Sequence, residues 1–315
     1  MVSEIGFGAW GIGKGLWVGA EDAESLRALR RAVEQGVNFI DTALAYGPGH
    51  SERLVGQLVR EMKVPLYVAT KVPPKNQTWP AAKGVPAKEV FPAAHIKRSA
   101  EESLENLGLD RIDLLQLHVW RDEYLDDTHA GWQEALRELQ TSGKVRFVGI
   151  SVNDHDPSSA LRAVASGLFH TAQVIYNVFD QGPEDAFFPA CKKHDVGVIA
   201  RVPFDEGGLT GTITPDSTFP AGDFRGQYFK GDRKREVWER AEALKKLIVT
   251  EGDAKTLPEL ALRFILSHDA VSTVIPGMRR LSSVEANVAV SDGRRLSPAL
   301  LAKLKGHAWP RNFYD

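Results

Sequence analysis

Eight short runs rich in β-branched and aromatic residues recur along the chain, at 5–8, 38–41, 66–71, 113–118, 145–151, 172–176, 197–201 and 272–275. Their length and composition predict buried strands. Each lies too far from the next for a hairpin, and between them apolar residues return with helical spacing at 23–36, 51–61, 93–107, 130–141, 158–166, 184–194, 235–250 and 257–267. Parallel strands need such crossovers, so the alternation predicts an α/β protein. Eight strand-helix units fit a closed (β/α)8 TIM barrel, although a doubly wound open sheet has the same pattern. The barrel is favoured by the polar residues that end or follow the runs, namely Asp41, Lys71, His118, Ser151, Asn177 and Arg201. Barrel active sites are built at the C-terminal ends of the strands. A further helix is expected after Ser283, running through Asn287, and a final one at 297–305. No linker, low-complexity tract or repeat interrupts the pattern, so residues 1–315 read as a single domain.

The connections at 73–90 and 203–232 are long and rich in Gly, Pro and polar residues, and they follow the third and seventh strands. Loops of that length inside a compact domain are usually functional. Here they would overhang the C-terminal ends of the strands as pocket walls. The last stretch, from His307 to Tyr314, is an aromatic tail.

Composition narrows the class without altering this picture. With 43% hydrophobic residues, 25% charged residues and a formal net charge of −2, the chain reads as an ordinary soluble protein with neither a nucleic-acid nor a membrane partner. Its one cysteine, Cys191, excludes an intramolecular disulfide framework and fits a reducing compartment, so the cytoplasm is expected. No apolar run is long enough for a membrane span, and the first residues have no signal-peptide pattern. No heptad pattern indicates an oligomeric state.

Two motifs mislead. Gly6-Phe7-Gly8-Ala9-Trp10-Gly11 matches the G-x-G-x-x-G dinucleotide fingerprint, but no full strand precedes it, and Gly13, Gly15 and Gly19 argue against a helix right after it. It reads instead as a first strand ending in a loop, with Trp10 facing a pocket. Tyr67 and Lys71 match Y-x-x-x-K, a pair used on helices. On a strand the two would stand about 13 Å apart. Tyr67 therefore reads as core, and Lys71 needs another partner.

That partner is found in the stretch 36–56. Asp41 ends a buried strand, Tyr46 follows in a Gly- and Pro-containing turn, and Ser51 with Glu52 opens a helix. Buried charges are seldom unpaired, so a salt bridge between Asp41 and Lys71 is the simplest expectation. His118 ends a third strand. A cationic Lys71 beside Tyr46 would lower the phenol's pKa and poise it as a general acid, with Asp41 keeping Lys71 charged and His118 either orienting a substrate oxygen or sharing the proton relay. No nucleophile elbow and no metal-ligand spacing is present, so no metal is expected. An acid that delivers a proton to oxygen without nucleophile or metal suggests carbonyl reduction with hydride from a cofactor. Trp10, Trp120, Phe204 and Phe224, with Trp79 from the first long loop, are expected around the mouth.

Over essentially its whole length the sequence resembles the aldo-keto reductase superfamily. GVNFIDTALAYGPGHSERLVG is similar to the family's G-x-x-x-x-D-T-A segment with the tyrosine and helix start that follow it. The resemblance implies a catalytic tetrad of Asp41, Tyr46, Lys71 and His118, reduction of a small aldehyde or ketone to an alcohol, and NADP(H) bound across the barrel mouth. Of the residues expected around the mouth and in the tetrad, Trp10, Tyr46, His118 and Trp120 are the expected substrate contacts. Ser151, Asn153 and Gln173 would hold the nicotinamide carboxamide, although Ser151-Val152-Asn153 stands where Ser-Asn is usual. Arg201, next to Pro203, would stack on the ring in place of a tyrosine, and Trp10 would border the same site. Gly277, Arg279, Arg280, Ser283 and Asn287 match the adenosine 2′-phosphate site. Some relatives are ion-channel β subunits, so a cofactor-binding regulatory subunit with slow or no turnover is the alternative function. The family's usual N-terminal hairpin, which closes the base of the barrel, is not found ahead of the first strand.

Overall fold

The structure, a computed structural model, describes residues 1–127 and 129–311. Its strands β1 (Phe7–Gly8), β2 (Phe39–Asp41), β3 (Tyr67–Val72), β4 (Ile112–Trp120), β5 (Val145–Val152), β6 (Thr171–Ile175), β7 (Gly197–Arg201) and β8 (Val271–Val274) form one parallel sheet in chain order. The sheet closes because β8 returns to β1. Ile5 bridges Val274, Gly8 bridges Gly277, and the amides of Gly6 and Gly8 donate to the carbonyls of Val274 and Pro276. Only glycine fits this seam, since a Cβ on Gly8 would lie 2.6 Å from the Ile275 carbonyl oxygen. The closed (β/α)8 barrel is thus the fold, and the open sheet is excluded.

Helices cover the outside, with bounds close to those read from apolar spacing: Asp22–Glu34, His50–Met62, Ala93–Leu107, Trp132–Thr141, Arg233–Glu251 and Leu257–Leu266 among them. Two runs expected as single helices are broken. Residues 158–166 divide into a 3-10 turn, Pro157–Ala160, and a short helix, Leu161–Ala165, while Phe187–Lys193 follows a separate turn, Gly182–Glu184. Each turn has a proline at its first or second position, Pro157 and Pro183, where the missing N–H costs little. Among the described residues no helix is long and apolar enough to cross a membrane.

The apolar core lies in two places. The larger part fills the space between strands and helices, and a smaller cluster of Phe39, Ala69, Leu114, Ile199 and Ile275 fills the barrel itself. Val2 and Tyr67 pack against this inner cluster, and Ser3 exchanges hydrogen bonds with Asn38 at 2.7 and 3.1 Å. Val2 and Tyr67 thus lie against the inner cluster at the base of the barrel. Tyr67, expected as core, is half-buried beneath the inner cluster, four residues below Lys71 on the same face of β3.

Above the inner cluster β4 changes its alternation. Leu117 pairs with Ile150 but Trp120 pairs with Val152, so β4 carries one extra residue, and Val119 takes the left-handed conformation at φ 57°. Such a bulge shifts every later side chain to the other face of the strand. His118 stays on the inner face with Leu114 and Gln116, and Trp120 goes outward.

Candidate active site

A strand's inner face recurs at every second residue, so each strand lifts one polar side chain to a common level above the apolar cluster. From β2 comes Asp41, two residues above Phe39. From β3 comes Lys71, two above Ala69. From β4 come Gln116 and His118, and from β6 comes Gln173. Asp41 accepts from Lys71 Nζ at 2.5 Å on Oδ1, and from Gln116 Nε2 at 3.2 Å and Gln173 Nε2 at 2.7 Å on Oδ2. Lys71 has no exposed side-chain surface. Its ammonium donates as well to the Thr42 carbonyl at 2.8 Å and to the Tyr46 hydroxyl at 3.5 Å. The expected salt bridge is present, and it is fully desolvated.

Tyr46 sits in the turn after β2, whose shape requires two glycines. Gly47 has φ 63°, and a Cβ there would lie 1.6 Å from the Gly13 carbonyl oxygen. Gly13 approaches the Tyr46 backbone just as closely, with a Cβ position 2.8 Å from its oxygen. The loop after β1 is thereby pressed against the turn, and the Trp10 ring comes within 6.2 Å of the Tyr46 ring. The imidazole of His118 is edge-on to Tyr46, with ring centroids 6.2 Å apart. The structure therefore brings Asp41, Tyr46, Lys71 and His118 together.

The electrostatics depart from the sequence reading in one respect. Lys71 was expected to lower the Tyr46 pKa. Instead burial, followed by the Asp41 carboxylate, pushes it well above the ordinary phenol value, and the nearby Arg201 offsets only part of this. Burial also lowers the pKa of Lys71 itself against the opposing pull of Asp41. A cation whose charge is already matched by a carboxylate 2.5 Å away has little field left for a phenol at 3.5 Å. Tyr46 is consequently a neutral hydroxyl donor throughout the physiological range. His118 is held well below the usual imidazole value, first by burial and then by the positive charges of Lys71 and Arg201, so it too is neutral.

Ser151 and Gln173 are neighbours across β5 and β6. The Ser151 hydroxyl is buried without a hydrogen-bond partner among the described residues, a polar group in want of one. Gln173 spends its amide nitrogen on Asp41. Arg201 donates to the Val152 carbonyl at 3.0 Å and pairs with Asp154, while Pro203 is buried just beyond it. Asn153 binds the backbone of Ala81.

On the other side of the mouth Gly277 is exposed, and Arg279 is half-buried beside Gly11 and Trp17, donating to the Val18 carbonyl at 3.0 Å. Burial and the neighbouring Arg225 and Arg280 lower the Arg279 pKa. Arg225 is matched by Asp223, but among the described residues neither Arg279 nor Arg280 forms an ion pair. Arg280 stands at the N-cap position of the helix Leu281–Val288 without a side-chain cap bond, and that helix carries Ser283 and the buried Asn287. Unmatched arginines at a helix N-terminus fit a phosphate monoester. The orphan Ser151 hydroxyl fits a carboxamide. By both observations the residues present fit an NADP-type dinucleotide.

The walls are partly as expected. Trp10 meets Phe224 from the second long loop with centroids 5.3 Å apart, and Trp79 reaches His118 from the first. Phe204 packs against the outer core. Trp120 does not line the mouth. It is wholly buried among Tyr124, Trp132 and Phe169, with its indole N–H on Asp122, because the bulge at Val119 turns it away. Of the tail, 312–314 lies outside the described residues.

Sequence reasoning missed three contributors. Gln116 is hidden in a run of leucines, though its place two residues before His118 is the signal that it shares the inner face. Glu52 looks like a helix-start residue but is fully buried, accepting from the Thr70 hydroxyl at 2.6 Å and the Asn106 amide at 2.9 Å, and so braces β3 next to Lys71. Asp154 carries no signal beyond its closeness to Ser151.

The Aldo/keto reductase family model matches residues 4–308. The aldo-keto reductase YhdN of Bacillus subtilis is 32% identical over 291 residues, spanning 90% of this chain and 83% of that protein. Among solved structures, a glycerol dehydrogenase from Gluconobacter oxydans has a TM-score of 0.76 at 29% identity, covering 99% of this chain and 94% of that one. An aldo-keto reductase from Klebsiella pneumoniae, in complex with NADPH, has a TM-score of 0.71 at 27% identity, covering 99% and 93%.

Proposed function

This chain belongs to the aldo/keto reductase family, and from that premise we propose that it reduces an aldehyde or ketone to an alcohol with NADPH, using Tyr46 as the proton donor. The observation that carries the reading is the contact chain from Asp41 through the Lys71 ammonium to the Tyr46 hydroxyl, beside a neutral His118. NADPH, held by Ser151, Gln173 and the Arg279 and Arg280 pair, would supply the hydride for the carbonyl carbon. Tyr46 gives its proton to the carbonyl oxygen as negative charge grows there, and Lys71 stabilises the phenolate that remains. Asp41 holds Lys71 in place. A neutral imidazole on His118 donates a hydrogen bond to the same oxygen without competing as an acid.

Ser151 and Gln173 are assigned to the carboxamide, Arg201 and Pro203 to the ring's surroundings, and Arg279, Arg280, Ser283 and Asn287 to the 2′-phosphate, with Gly277 leaving open space beside it. The orphan hydroxyl and the unmatched arginines support these roles. Support for NADPH also comes from the complex of the Klebsiella relative. The test is NADPH consumption with a panel of aldehydes and ketones, with the products identified. Alcohol formed in step with NADPH loss supports the reading; tight NADPH binding without turnover of any carbonyl contradicts it.

A further inference from the structure

Asn153 lies directly after β5, where a role toward the nicotinamide is the expectation, yet its amide is engaged elsewhere. Its Oδ1 accepts from the Ala81 N–H at 2.8 Å, its Nδ2 donates to the Ala81 carbonyl at 3.2 Å, and the residue is 7% exposed. Both ends of the side chain are thus used on one backbone position of the long loop after β3. Two residues before Ala81 stands Trp79. Its indole is 40% exposed, but its ring is edge-on to the His118 imidazole, with centroids 4.6 Å apart and an interplanar angle of 83°.

An exposed indole on a loop running from 73 to 90 needs something to keep it there. The loop's ends are fixed by the Lys75 amide on the Val90 carbonyl and by the Gly84 amide on Glu123. Between them Gln77 and Thr78 bond only within the loop. Among the described residues, the pair of bonds from Asn153 is the one hydrogen-bonded tie between 76–83 and another element.

We propose that Asn153 is a positioning residue for substrate: by anchoring Ala81 it holds Trp79 against His118 as the wall that meets the substituent of the carbonyl compound. This rests on the reductase reading above. It divides the end of β5 between two tasks, with the unpartnered Ser151 hydroxyl left for the dinucleotide and the Asn153 amide engaged by the loop after β3. The chemistry favoured at such a wall is a flat apolar group, because an indole face offers area and edge contacts and no charge.

The test is Asn153→Ala in the full-length enzyme. Hydrogen exchange of peptides covering 76–83 should speed up about tenfold or more, the measure expected if two ordinary hydrogen bonds hold the segment. KM for an aryl aldehyde should rise about tenfold, while kcat and the NADPH dissociation constant stay within about threefold. Trp79→Ala should raise the same KM, and adding Asn153→Ala to it should bring no further loss, since the two act in series. Asn153→Asp keeps the acceptor and loses the donor, so it should fall between wild type and Asn153→Ala, and it serves if the alanine variant does not fold. Weakened NADPH binding with unchanged exchange would overturn the proposal by giving Asn153 to the cofactor. Independent, additive losses from Asn153 and Trp79 would overturn it as well. Exchange and NADPH titration need no turnover, so failure of the anchor is told apart from failure of the reductase reading.

Discussion

Replacing Lys71 with methionine keeps most of the length of the side chain and removes the ammonium, with its charge and its hydrogen bonds to Asp41, Thr42 and Tyr46. The cost to stability comes from Asp41, which would remain buried as an anion. Breaking a buried ion pair by removing one partner costs about 3 to 5 kcal/mol. The lower end applies here, because Gln116 and Gln173 continue to donate to the same carboxylate. For a chain of 315 residues the entropy of unfolding is near 0.66 kcal/mol/K, so a loss of about 3 kcal/mol lowers Tm by roughly 5 °C. Activity should fall much further. With no cation beside the developing phenolate, kcat should drop about 100- to 1000-fold, the loss typical of removing one preorganised donor. The two effects separate in the double variant Asp41→Asn with Lys71→Met. Taking away both charges removes the uncompensated anion, so Tm should recover most of the lost degrees while activity stays lost. Thermal melts and steady-state assays on wild type, both single variants and the double variant decide the matter. If Lys71→Met keeps more than about a tenth of wild-type kcat, a barrier change under ~1.4 kcal/mol, or if the double variant regains activity with its stability, the pair is structural and not part of the chemistry.

Arg279→Ala should weaken NADPH binding by about tenfold to a hundredfold and leave NADH binding nearly unchanged, with the NADPH effect shrinking as salt rises. Fluorescence titration with both cofactors checks this, and equal weakening of the two would mean that Arg279 serves the loop through the Val18 carbonyl. The depressed pKa of His118 has a consequence for stability. As pH falls below the ordinary imidazole value of about 6.5 the unfolded chain takes up a proton that the folded chain does not, so stability is full above that value and is lost below it. Wild type should therefore lose more Tm than His118→Gln between pH 7.5 and 5.5; equal losses would contradict a neutral His118.

The fold and the chemical centre were largely legible because both depend on position along strands. Asp41, Lys71 and His118 end apolar runs, and a charge at such a place must find a partner, so the buried pair could be anticipated before its 2.5 Å contact was seen. Trp120 was illegible for the opposite reason. Strict alternation puts it on the same face as His118, and nothing in Leu117-His118-Val119-Trp120 signals that Val119 will take φ 57° and reverse the parity. The charge state of Tyr46 also needed coordinates, since whether Lys71 or burial dominates depends on how fully Asp41 already neutralises the ammonium. Asn153 reads as a nicotinamide contact from its place beside Ser151. Only the fold of the loop after β3 brings Ala81 to its amide.

In the proposed reaction the Tyr46 hydroxyl delivers the proton, and Tyr46→Phe removes that oxygen alone. Phenylalanine can keep the ring contacts with Trp10 and His118. The variant should bind NADPH within about twofold of wild type, while single-turnover reduction of an aldehyde by the preformed NADPH complex slows by about 100- to 10,000-fold, the usual worth of a positioned general acid. A variant that reduces the aldehyde at more than about a tenth of the wild-type rate, a barrier difference under ~1.4 kcal/mol, would show that the proton comes from elsewhere.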